Sequence, residues 1–452
     1  MVKSLNKNVN SSKLVNQLQP VIHYISIQEA IQKGKGKVSI HGWIHRERGS
    51  NKLKFVVLRD SSNLIQCVFD REKFEKSWDE IDHLQMEASL KLTGEIKKEP
   101  RAPTGYELQV EEYELVGKSD NFPIAKDQSI EFLADNRHLW LRSRKMTAML
   151  KIRSTVFGAI HEFFRGEGFY EYHAPVFQAV QCEGGSDLFK VDYFGQKGVF
   201  LAQSWQLYAE PAIFALEKIY TIAPSFRAEK SKTSRHLTEY WHAEMEMAWS
   251  TFKDIQDYGE KLIKYVVKKV LDQHRADLEI MGRDAKKLEP VLKKPFVRMT
   301  YTEALKILKE KFNMNIEWGK DLRTIEEEKL STLYDVPIIC TNYPKKVKAF
   351  YMIEDAEDPK TVQGCDFLAP EGHGEIIGGS QREHDIEKIK RRLIEQGEKP
   401  EEYEFYLDTR RYGSVPHGGF GMGVERLIRW ICGLDSIKDA IAFPRTIERY
   451  KP

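Results

Sequence analysis

The sequence has few cysteines, five in 452 residues, and they are widely spaced without a CxxC pair. Zinc ribbons need closely spaced cysteine pairs, and disulfide frameworks of secreted proteins need a denser and even-numbered set. We therefore expect a reducing, cytoplasmic environment for this chain and no zinc site.

Long apolar runs are also missing. The longest segment without Asp, Glu, Lys or Arg covers residues 14–28, which is shorter than the roughly 20 residues that a membrane-spanning helix needs. Residues 1–19 are rich in Asn, Ser and Lys and lack the apolar core of a signal peptide. The sequence therefore predicts no membrane segment and a flexible polar tail over residues 1–20.

An excess of one charge sign is absent as well, because 70 Lys and Arg balance 68 Asp and Glu. This balance excludes a protein that binds nucleic acid through its overall basic charge, so any RNA contact must be local. The basic residues are concentrated early in the chain, with 11 basic and 3 acidic residues in residues 1–60 and 8 basic and 14 acidic in residues 61–120. An apolar content of 41% excludes wholesale disorder.

Five short runs of alternating polar and apolar residues lie between residues 37 and 117. Such closely spaced strands predict a small closed barrel over residues 21–120, with the OB fold among the candidates. Residues 121–137 lack this alternation and contain Pro123, which indicates a hinge. Long helical patterns then alternate with strands, so residues 138–452 are predicted to form one large α+β domain.

Residues 225–248 carry the clearest chemical signal. Residues two apart share a face of a strand, so Arg227 and Glu229 point the same way. An amphipathic strand with a solvated outer face would explain the alternation that follows. Two neighbouring strands that direct charge to one surface favour instead a site for a charged ligand. The polar face of the second strand holds Tyr240, His242, Glu244 and Glu246.

Two further segments contain candidate phosphate and metal ligands. Residues 417–433 place a glycine-rich turn before an apolar helix, but Arg426 occupies the third glycine position of the dinucleotide fingerprint, so that interpretation fails. Asp366 and Glu375 flank a loop with Pro and Gly and could supply two hard oxygen ligands to one Mg²⁺. Two acidic residues in a loop are also compatible with a solvated surface.

Together these segments resemble the three motifs of class II aminoacyl-tRNA synthetases. FRAE, RHLTE and the strand that follows are similar to motif 2 (residues 219–248), and HGGFGMGVERL is similar to motif 3 (residues 417–446). GFYEYHAPVF, which contains Pro175, is similar to motif 1 (residues 155–178). The resemblance implies a catalytic domain built on an antiparallel sheet flanked by helices, and a homodimer with Pro175 in its interface.

The resemblance also implies roles for single side chains. Arg227 would hold the α-phosphate and the amino acid carboxylate, and Arg426 the γ-phosphate. Attack of a carboxylate on the α-phosphorus builds charge on phosphate oxygens, so cations rather than a general base lower the barrier. These two arginines are therefore the predicted catalytic residues. The predicted ATP ligands are Arg227, Glu229, His236, Tyr240, Glu375 and Arg426; the predicted Mg²⁺ ligands are Asp366 and Glu375, with no organic cofactor.

The barrel sequence resembles the anticodon-binding OB domain of the class IIb branch, which serves Asp, Asn and Lys. Phe55 matches the aromatic residue that stacks on the central uridine, Gln66 matches its hydrogen-bonding partner, and Arg48 lies nearby. Stacking on an unpaired base is worth roughly 1–3 kcal/mol. Trp43 is predicted to belong to the core. The predicted contacts to the tRNA acceptor stem are Lys230, Lys232 and Arg235.

Asparagine is the predicted amino acid, and tRNA(Asn) the predicted RNA. QSWQLYAE has Ala209 where the aspartyl branch has a lysine for the substrate carboxylate, and Glu244 stands where that branch has Asp. A carboxylate accepts a hydrogen bond from an amide. It repels another carboxylate about 4 Å away by about 4 kcal/mol at an effective dielectric of about 20. The predicted asparagine ligands are Glu183, Ser204, Gln206, Arg227, Glu244 and Arg382.

Three alternatives remain at this point. The first is an aspartyl or non-discriminating tRNA synthetase. The second is an adenylating asparagine synthetase that uses ammonia, against which the barrel argues because such proteins resemble the catalytic half alone. The third is a non-catalytic RNA-binding descendant, which would have lost the phosphate ligands that this chain retains.

Overall fold

The computed structural model describes residues 22–182, 188–230 and 233–452. The chain divides into two compact units, Met1–Gln128 and Ser129–Pro452, and each is described by itself. The predicted polar tail, residues 1–20, lies outside the described residues.

The first unit is a closed five-stranded barrel in the order β1-β2-β3-β5-β4, which confirms the predicted OB-type barrel. Helix α1 begins with a capping box in which Ser26 and Glu29 satisfy each other's backbone N–H groups. The elements are α1 Ile27–Lys33, β1 Gly36–Gly49, β2 Leu53–Arg59, β3 Leu64–Asp70, a 3-10 turn Glu75–Ser77, α2 Trp78–Asp82, β4 Ser89–Lys98 and β5 Tyr106–Gly117.

Alternation along β1 decides which side chains fill the barrel. Val38, Ile40 and Ile44 are buried inside it, so Trp43 points outward. Trp43 is 43% exposed, and the Arg59 guanidinium lies 5.4 Å from the centre of its ring. The prediction that Trp43 belongs to the core is therefore wrong, because the two-residue period of the strand overrides its apolar character.

The second unit is built on an eight-stranded sheet in the order β11-β12-β13-β14-β15-β10-β9-β6. Only the pairs β11–β12 and β6–β9 within it are parallel, so the predicted antiparallel sheet is confirmed. Strands β7 and β8 form a separate pair. The strands are β6 Tyr170–Glu171, β7 Phe177–Gln178, β8 Phe200–Leu201, β9 Lys218–Phe226, β10 Glu239–Ala248, β11 Val297–Thr300, β12 Ile338–Thr341, β13 Gly364–Ala369, β14 Gly374–Gln381 and β15 His417–Gly423.

Helices flank this sheet. The longest are α5 Arg144–Gly166 and α7 Phe252–Gln273, and their buried residues belong to the same core cluster as the apolar side chains of β10. The others are α3 Ile130–Asp135, α4 Arg137–Trp140, α6 Gln206–Leu216, α8 Arg275–Met281, α9 Glu289–Lys293, α10 Tyr301–Phe312, α11 Thr324–Ser331, α12 Ile386–Glu395, α13 Glu404–Arg411 and α14 Val424–Cys432, with 3-10 turns at Ala285–Leu288, Lys345–Val347, Pro400–Tyr403 and Ile437–Ala440.

Part of the predicted hinge is structured. Ser129 caps α3 through its side chain, and Arg137 is buried and donates hydrogen bonds to the carbonyls of Lys438, Ile441 and Ala442. The hinge at residues 121–137 stays a prediction. Among helices of the described residues, none is long and apolar enough to cross a lipid bilayer.

Candidate active site

Strand β10 forms the floor of the site. It lies in the middle of the sheet between β9 and β15, and Ala243 and Met245 pack into the core below it. On the opposite face His242, Glu244 and Glu246 are also buried. A solvated outer face is therefore excluded, and the predicted polar face instead lines a closed site.

Glycines of β15 make room for these polar side chains. A Cβ atom on Gly419 would lie 2.2 Å from Glu246 Oε2, and one on Gly421 would lie 2.4 Å from His242 Nε2. Any side chain at either position would collide with the floor. The glycine-rich segment that was predicted as a turn is thus a strand, and its glycines are required by the close approach of β10.

Two adjoining cavities lie above this floor, and Arg227 and Glu375 line both of them. The larger has a volume of about 630 Å³. It brings together most of the predicted asparagine and Mg²⁺ ligands, namely Ser204, Gln206, Arg227, Glu244, Asp366, Glu375 and Arg382. The smaller is lined by the predicted ATP ligands Arg227, Glu229, His236, Tyr240, Glu375 and Arg426. The predicted ligand Glu183 lies outside the described residues.

Glu244 is held firmly at one end of the larger cavity. Its carboxylate accepts hydrogen bonds from Ser204 Oγ at 2.5 Å and from the Trp205 backbone N–H at 3.0 Å, and His242 Nδ1 lies 3.4 Å away. Ser204 is itself a predicted asparagine ligand, and the structure pairs it with the carboxylate of another one. Ser204 therefore orients Glu244.

Arg382 lies on the same cavity. Its Nε and Nη2 donate to the two oxygens of Glu246 at 2.9 and 2.8 Å, and Nη1 donates to Ser380 Oγ at 2.6 Å. Burial opposes the charge of both partners, but Glu246 raises the pKa of Arg382 above its usual range. Arg382 is therefore a fixed cation with a bidentate partner.

Asp366 and Glu375 lie on the neighbouring strands β13 and β14. Asp366 Oδ1 and Glu375 Oε1 both face the backbone of Gly378, at 3.5 and 3.4 Å from the position of a Cβ there. Burial, reinforced by Glu375, raises the pKa of Asp366 to about 6. Burial also opposes ionisation of Glu375, but Arg426 and Lys348 lower its pKa to about 2. Two half-buried carboxylates with oxygens that face one point suit a divalent cation.

The smaller cavity is lined by side chains of the segments that resemble motif 2 and motif 3. The Arg227 guanidinium lies 5.6 Å from the ring centre of Tyr240 and 3.9 Å from Glu229. Arg426 Nη1 lies 3.0 Å from Glu375 Oε2. Burial, together with Arg426, lowers the pKa of His236 to about 4, so the imidazole is neutral at neutral pH.

Comparisons with known proteins agree with this geometry. The family model described as tRNA synthetases class II (D, K and N) matches residues 129–447, and that of an OB-fold nucleic acid binding domain matches residues 38–116. The asparagine–tRNA ligase of Thermoplasma acidophilum is 47% identical over 95% of this chain and 100% of that protein. The chain belongs to the asparagine–tRNA ligase family. The predicted resemblance to class II synthetases is thereby confirmed.

Two further members of the asparagine–tRNA ligase family support the assignment. The enzyme of Thermococcus kodakarensis is 47% identical over 92% of this chain and 96% of that protein. The crystal structure of asparaginyl-tRNA synthetase from Pyrococcus horikoshii, complexed with asparaginyl-adenylate, matches with a TM-score of 0.91 at 43% identity, covering 95% of this chain and 100% of that one.

One predicted RNA contact in this asparagine–tRNA ligase family member does not fit the structure. Arg235 is 3% exposed, lines the smaller cavity and donates to Glu327 at 2.8 Å. Its guanidinium packs on Gly374. Burial contradicts an acceptor-stem role for Arg235, because an RNA contact needs an accessible side chain. Lys230 is exposed, and Lys232 lies outside the described residues.

The barrel presents only part of the predicted anticodon site. Phe55 is half-buried, with the exposed Arg48 guanidinium 4.9 Å from its ring centre. Gln66 is 7% exposed, and its Nε2 donates to Glu107 at 2.9 Å. Glu107 therefore occupies one of the two amide hydrogens of Gln66, and the side chain is largely buried.

The sequence analysis assigned no role to several charged residues around the site. Lys348 Nζ donates to Asp366 Oδ2 at 2.8 Å and lies 3.9 Å from the ring centre of Tyr343. It follows two other lysines in a charged run, a pattern typical of a solvated surface. Glu246 was found on the polar face of β10 but was not predicted as the partner of Arg382. Alternation placed it correctly, and only tertiary structure revealed its partner.

Proposed function

We propose that this chain is an asparagine–tRNA ligase. It activates L-asparagine with ATP to form asparaginyl-adenylate and pyrophosphate, and then transfers the asparaginyl group to the 3′ end of tRNA(Asn). The observation that carries this proposal is a pair of groups that line the larger cavity, the carboxylate of Glu244 and the guanidinium of Arg382. Both lie on the same cavity as Arg227.

This pair suits a side-chain amide. Glu244 accepts a hydrogen bond from the amide NH₂, whereas it would repel a substrate carboxylate. Arg382 has five N–H hydrogens, and its contacts with Glu246 and Ser380 use three of them. The other two can donate to the amide oxygen. An amide offers one donor group and one acceptor, and the two residues complement both.

Arg227 is placed to act in the activation step, because it lines both cavities. An oxygen of the asparagine carboxylate attacks the α-phosphorus of ATP, and the bond to the pyrophosphate oxygen breaks. Negative charge that develops on the phosphate oxygens is stabilised by Arg227, while Arg426 holds the terminal phosphates. No group needs to remove a proton, because the nucleophile is already ionised.

Mg²⁺ is the metal that accompanies ATP in this proposal. Asp366 and Glu375 would hold it, because their oxygens converge on one point above Gly378. When bound, the ion would neutralise charge on the phosphates and orient them. Lys348 supplies a further positive charge beside Asp366.

The RNA contacts are also part of the proposal. Phe55 and Arg48 on the barrel would contact the anticodon through stacking and charge, and the exposed Lys230 would contact the acceptor stem. Pro175 is exposed next to Phe177, an exposed apolar residue, which supports a homodimer interface formed by motif 1. The five cysteines are free and buried, as expected of a protein in the cytoplasm.

One experiment tests the central proposal. ATP–pyrophosphate exchange is measured on the pure protein with asparagine and with aspartate, in parallel and at equal concentrations. We expect exchange that depends on asparagine and a response to aspartate at least a hundredfold weaker. Equal responses would identify a non-discriminating enzyme, and a response to aspartate alone would identify an aspartyl enzyme. Charging of tRNA(Asn) transcript then tests the second step.

A further inference from the structure

A buried carboxylate lies behind the wall of the larger cavity. Glu210, on α6, is fully buried. Its Oε1 accepts hydrogen bonds from Gln206 Nε2 at 2.9 Å and from the Tyr406 hydroxyl at 3.1 Å. Its Oε2 lies 2.5 Å from Arg410 Nη2 and 3.0 Å from His417 Nε2. Glu210 thus connects a predicted substrate ligand to a second buried guanidinium.

Two ion pairs lie side by side here. Arg410 pairs with Glu210, Arg382 pairs with Glu246, and the four side chains are all buried. The pairs touch, because Arg382 Nε is only 3.9 Å from Glu210 Oε1. Because the dielectric constant is low among buried side chains, an unpaired charge there interacts strongly with nearby charges. Each guanidinium is matched by one carboxylate.

The charge state of Glu210 supports its pairing with Arg410. Burial would raise the pKa of Glu210, but Arg410 and His417 outweigh it and hold the pKa below its usual range. Glu210 is therefore ionised at neutral pH. Ligand atoms of Glu210, Glu246 and His417 lie within 4.8 Å of one another. The carboxylates already accept hydrogen bonds from the guanidiniums, so the cluster fits charge pairing better than metal ligation.

We propose that Glu210 is a positioning residue that determines amino acid specificity: by neutralising Arg410 it leaves no surplus positive charge beside Arg382, so the cavity accepts an uncharged amide and disfavours a carboxylate. The inference deepens the proposed function and rests on it. Without Glu210, the charge of Arg410 would add to that of Arg382. A substrate carboxylate would then be attracted at the place where the native protein offers only the Arg382–Glu246 pair.

The test compares three full-length variants, Glu210→Gln, Arg410→Gln and the double variant. ATP–pyrophosphate exchange is measured for each with asparagine and with aspartate, and the quantity of interest is the ratio of the two kcat/KM values. Glu210→Gln leaves a surplus positive charge, so the asparagine-to-aspartate ratio should fall at least tenfold, or about 1.4 kcal/mol. Arg410→Gln leaves a surplus negative charge, so the ratio should rise about threefold or more. The double variant should return to within about threefold of the native ratio.

Opposite signs for the two single variants are the decisive result, because lost packing would not reverse the preference. A ratio that falls in both variants and is not restored in the double variant overturns the proposal. If circular dichroism shows that Glu210→Gln is unfolded, Arg410→Gln decides alone, and a falling ratio there also overturns it. Failure of the proposed function is a different result, since the native protein would then show no exchange with asparagine.

Discussion

The two units of this protein treat charge in opposite ways. In the catalytic unit the charged side chains that define the site are paired and at least half-buried, as in the buried pair Arg382 with Glu246 and the half-buried pair Arg426 with Glu375. On the barrel, Arg48 is exposed and lies over the half-buried ring of Phe55. The two arrangements suit the two proposed tasks, binding of a small substrate in the catalytic unit and recognition of an RNA loop by the barrel.

The difference has an energetic meaning. Buried and oriented charges act at low dielectric and need no reorganisation when charge develops on a substrate, so each of them has a large effect. An exposed aromatic ring contributes the energy of one stacked base, and solvent and salt weaken the charges beside it. Substitutions in the catalytic unit should therefore cost more than those on the barrel.

The largest effect is expected for Arg426→Ala. Loss of this cation removes phosphate binding and leaves the carboxylate of Glu375 without its partner, so asparagine-dependent pyrophosphate exchange should fall about a thousandfold. Arg426→Lys retains the positive charge but not the bidentate geometry of the guanidinium, so its exchange rate should lie between those of Arg426→Ala and the native protein. If Arg426→Ala kept an exchange rate within tenfold of native, the expectation that substitutions in the catalytic unit cost more than those on the barrel would be contradicted.

A somewhat smaller loss is expected for Glu244→Ala. The substrate amide loses its acceptor, and Ser204 and the Trp205 N–H lose theirs, so kcat/KM for asparagine should fall about a hundredfold. The KM for ATP, measured in the same assay, should stay within about threefold of native because Glu244 lies away from the nucleotide residues. An unchanged kcat/KM for asparagine would contradict the assigned role.

Stability of the catalytic unit should depend on pH through His373. Burial, with Arg429 and Arg283 nearby, lowers the pKa of His373 to about 3. The unfolded chain takes up a proton below about pH 6.5, whereas the folded state does not. This residue therefore costs stability as pH falls from about 6.5 towards 3.

His373 should lower the free energy of unfolding by about 2 kcal/mol when the pH falls from 7 to 5. Urea unfolding of the native protein and of His373→Gln at both pH values measures this contribution, because the unfolded variant has no His373 to protonate. If the difference in unfolding free energy between the two proteins does not change with pH, His373 is not held neutral by the fold.

The smallest effect is expected on the barrel, for Phe55→Ala. Loss of one stacked base should reduce kcat/KM for tRNA charging roughly tenfold, in line with a stacking energy of about 1–3 kcal/mol. Asparagine-dependent exchange in the absence of tRNA should stay at the native rate. Phe55→Tyr keeps the ring and serves as the matched control, with charging close to native. Equal loss of charging and exchange would show that Phe55 acts by packing.

Local patterns in the sequence predicted much of this structure. Alternation identified the barrel strands and sorted β10 into a polar and an apolar face, because the period of a strand is fixed by its backbone. The motif residues Arg227, Glu229, Tyr240 and Arg426 meet around adjoining cavities, as predicted. Such motifs combine specific residue types with a fixed spacing, and both can be recognised in one sequence.

Predictions failed where long-range packing decides exposure. Arg235 lies in a basic segment of the sequence, yet it is buried at the wall of the smaller cavity and donates to Glu327, 92 residues away in sequence. The burial of Gln66 against Glu107, 41 residues away in sequence, is likewise a long-range effect, and its role in reading the anticodon stays a prediction. Glu210 lies in a helix with no motif of its own, and its partners Arg410 and His417 come from positions about two hundred residues later. No local pattern marks such pairs.

Gly419 of β15 has a consequence for how variants of this protein are interpreted. A methyl group at Gly419 would meet the Glu246 carboxylate, which in turn holds Arg382. A substitution as small as Gly419→Ala would therefore displace Glu246 and, through it, Arg382, which is a predicted substrate ligand. The site therefore depends on the space that is left by the missing side chain of Gly419. A mutational survey that considers only functional groups would overlook this position.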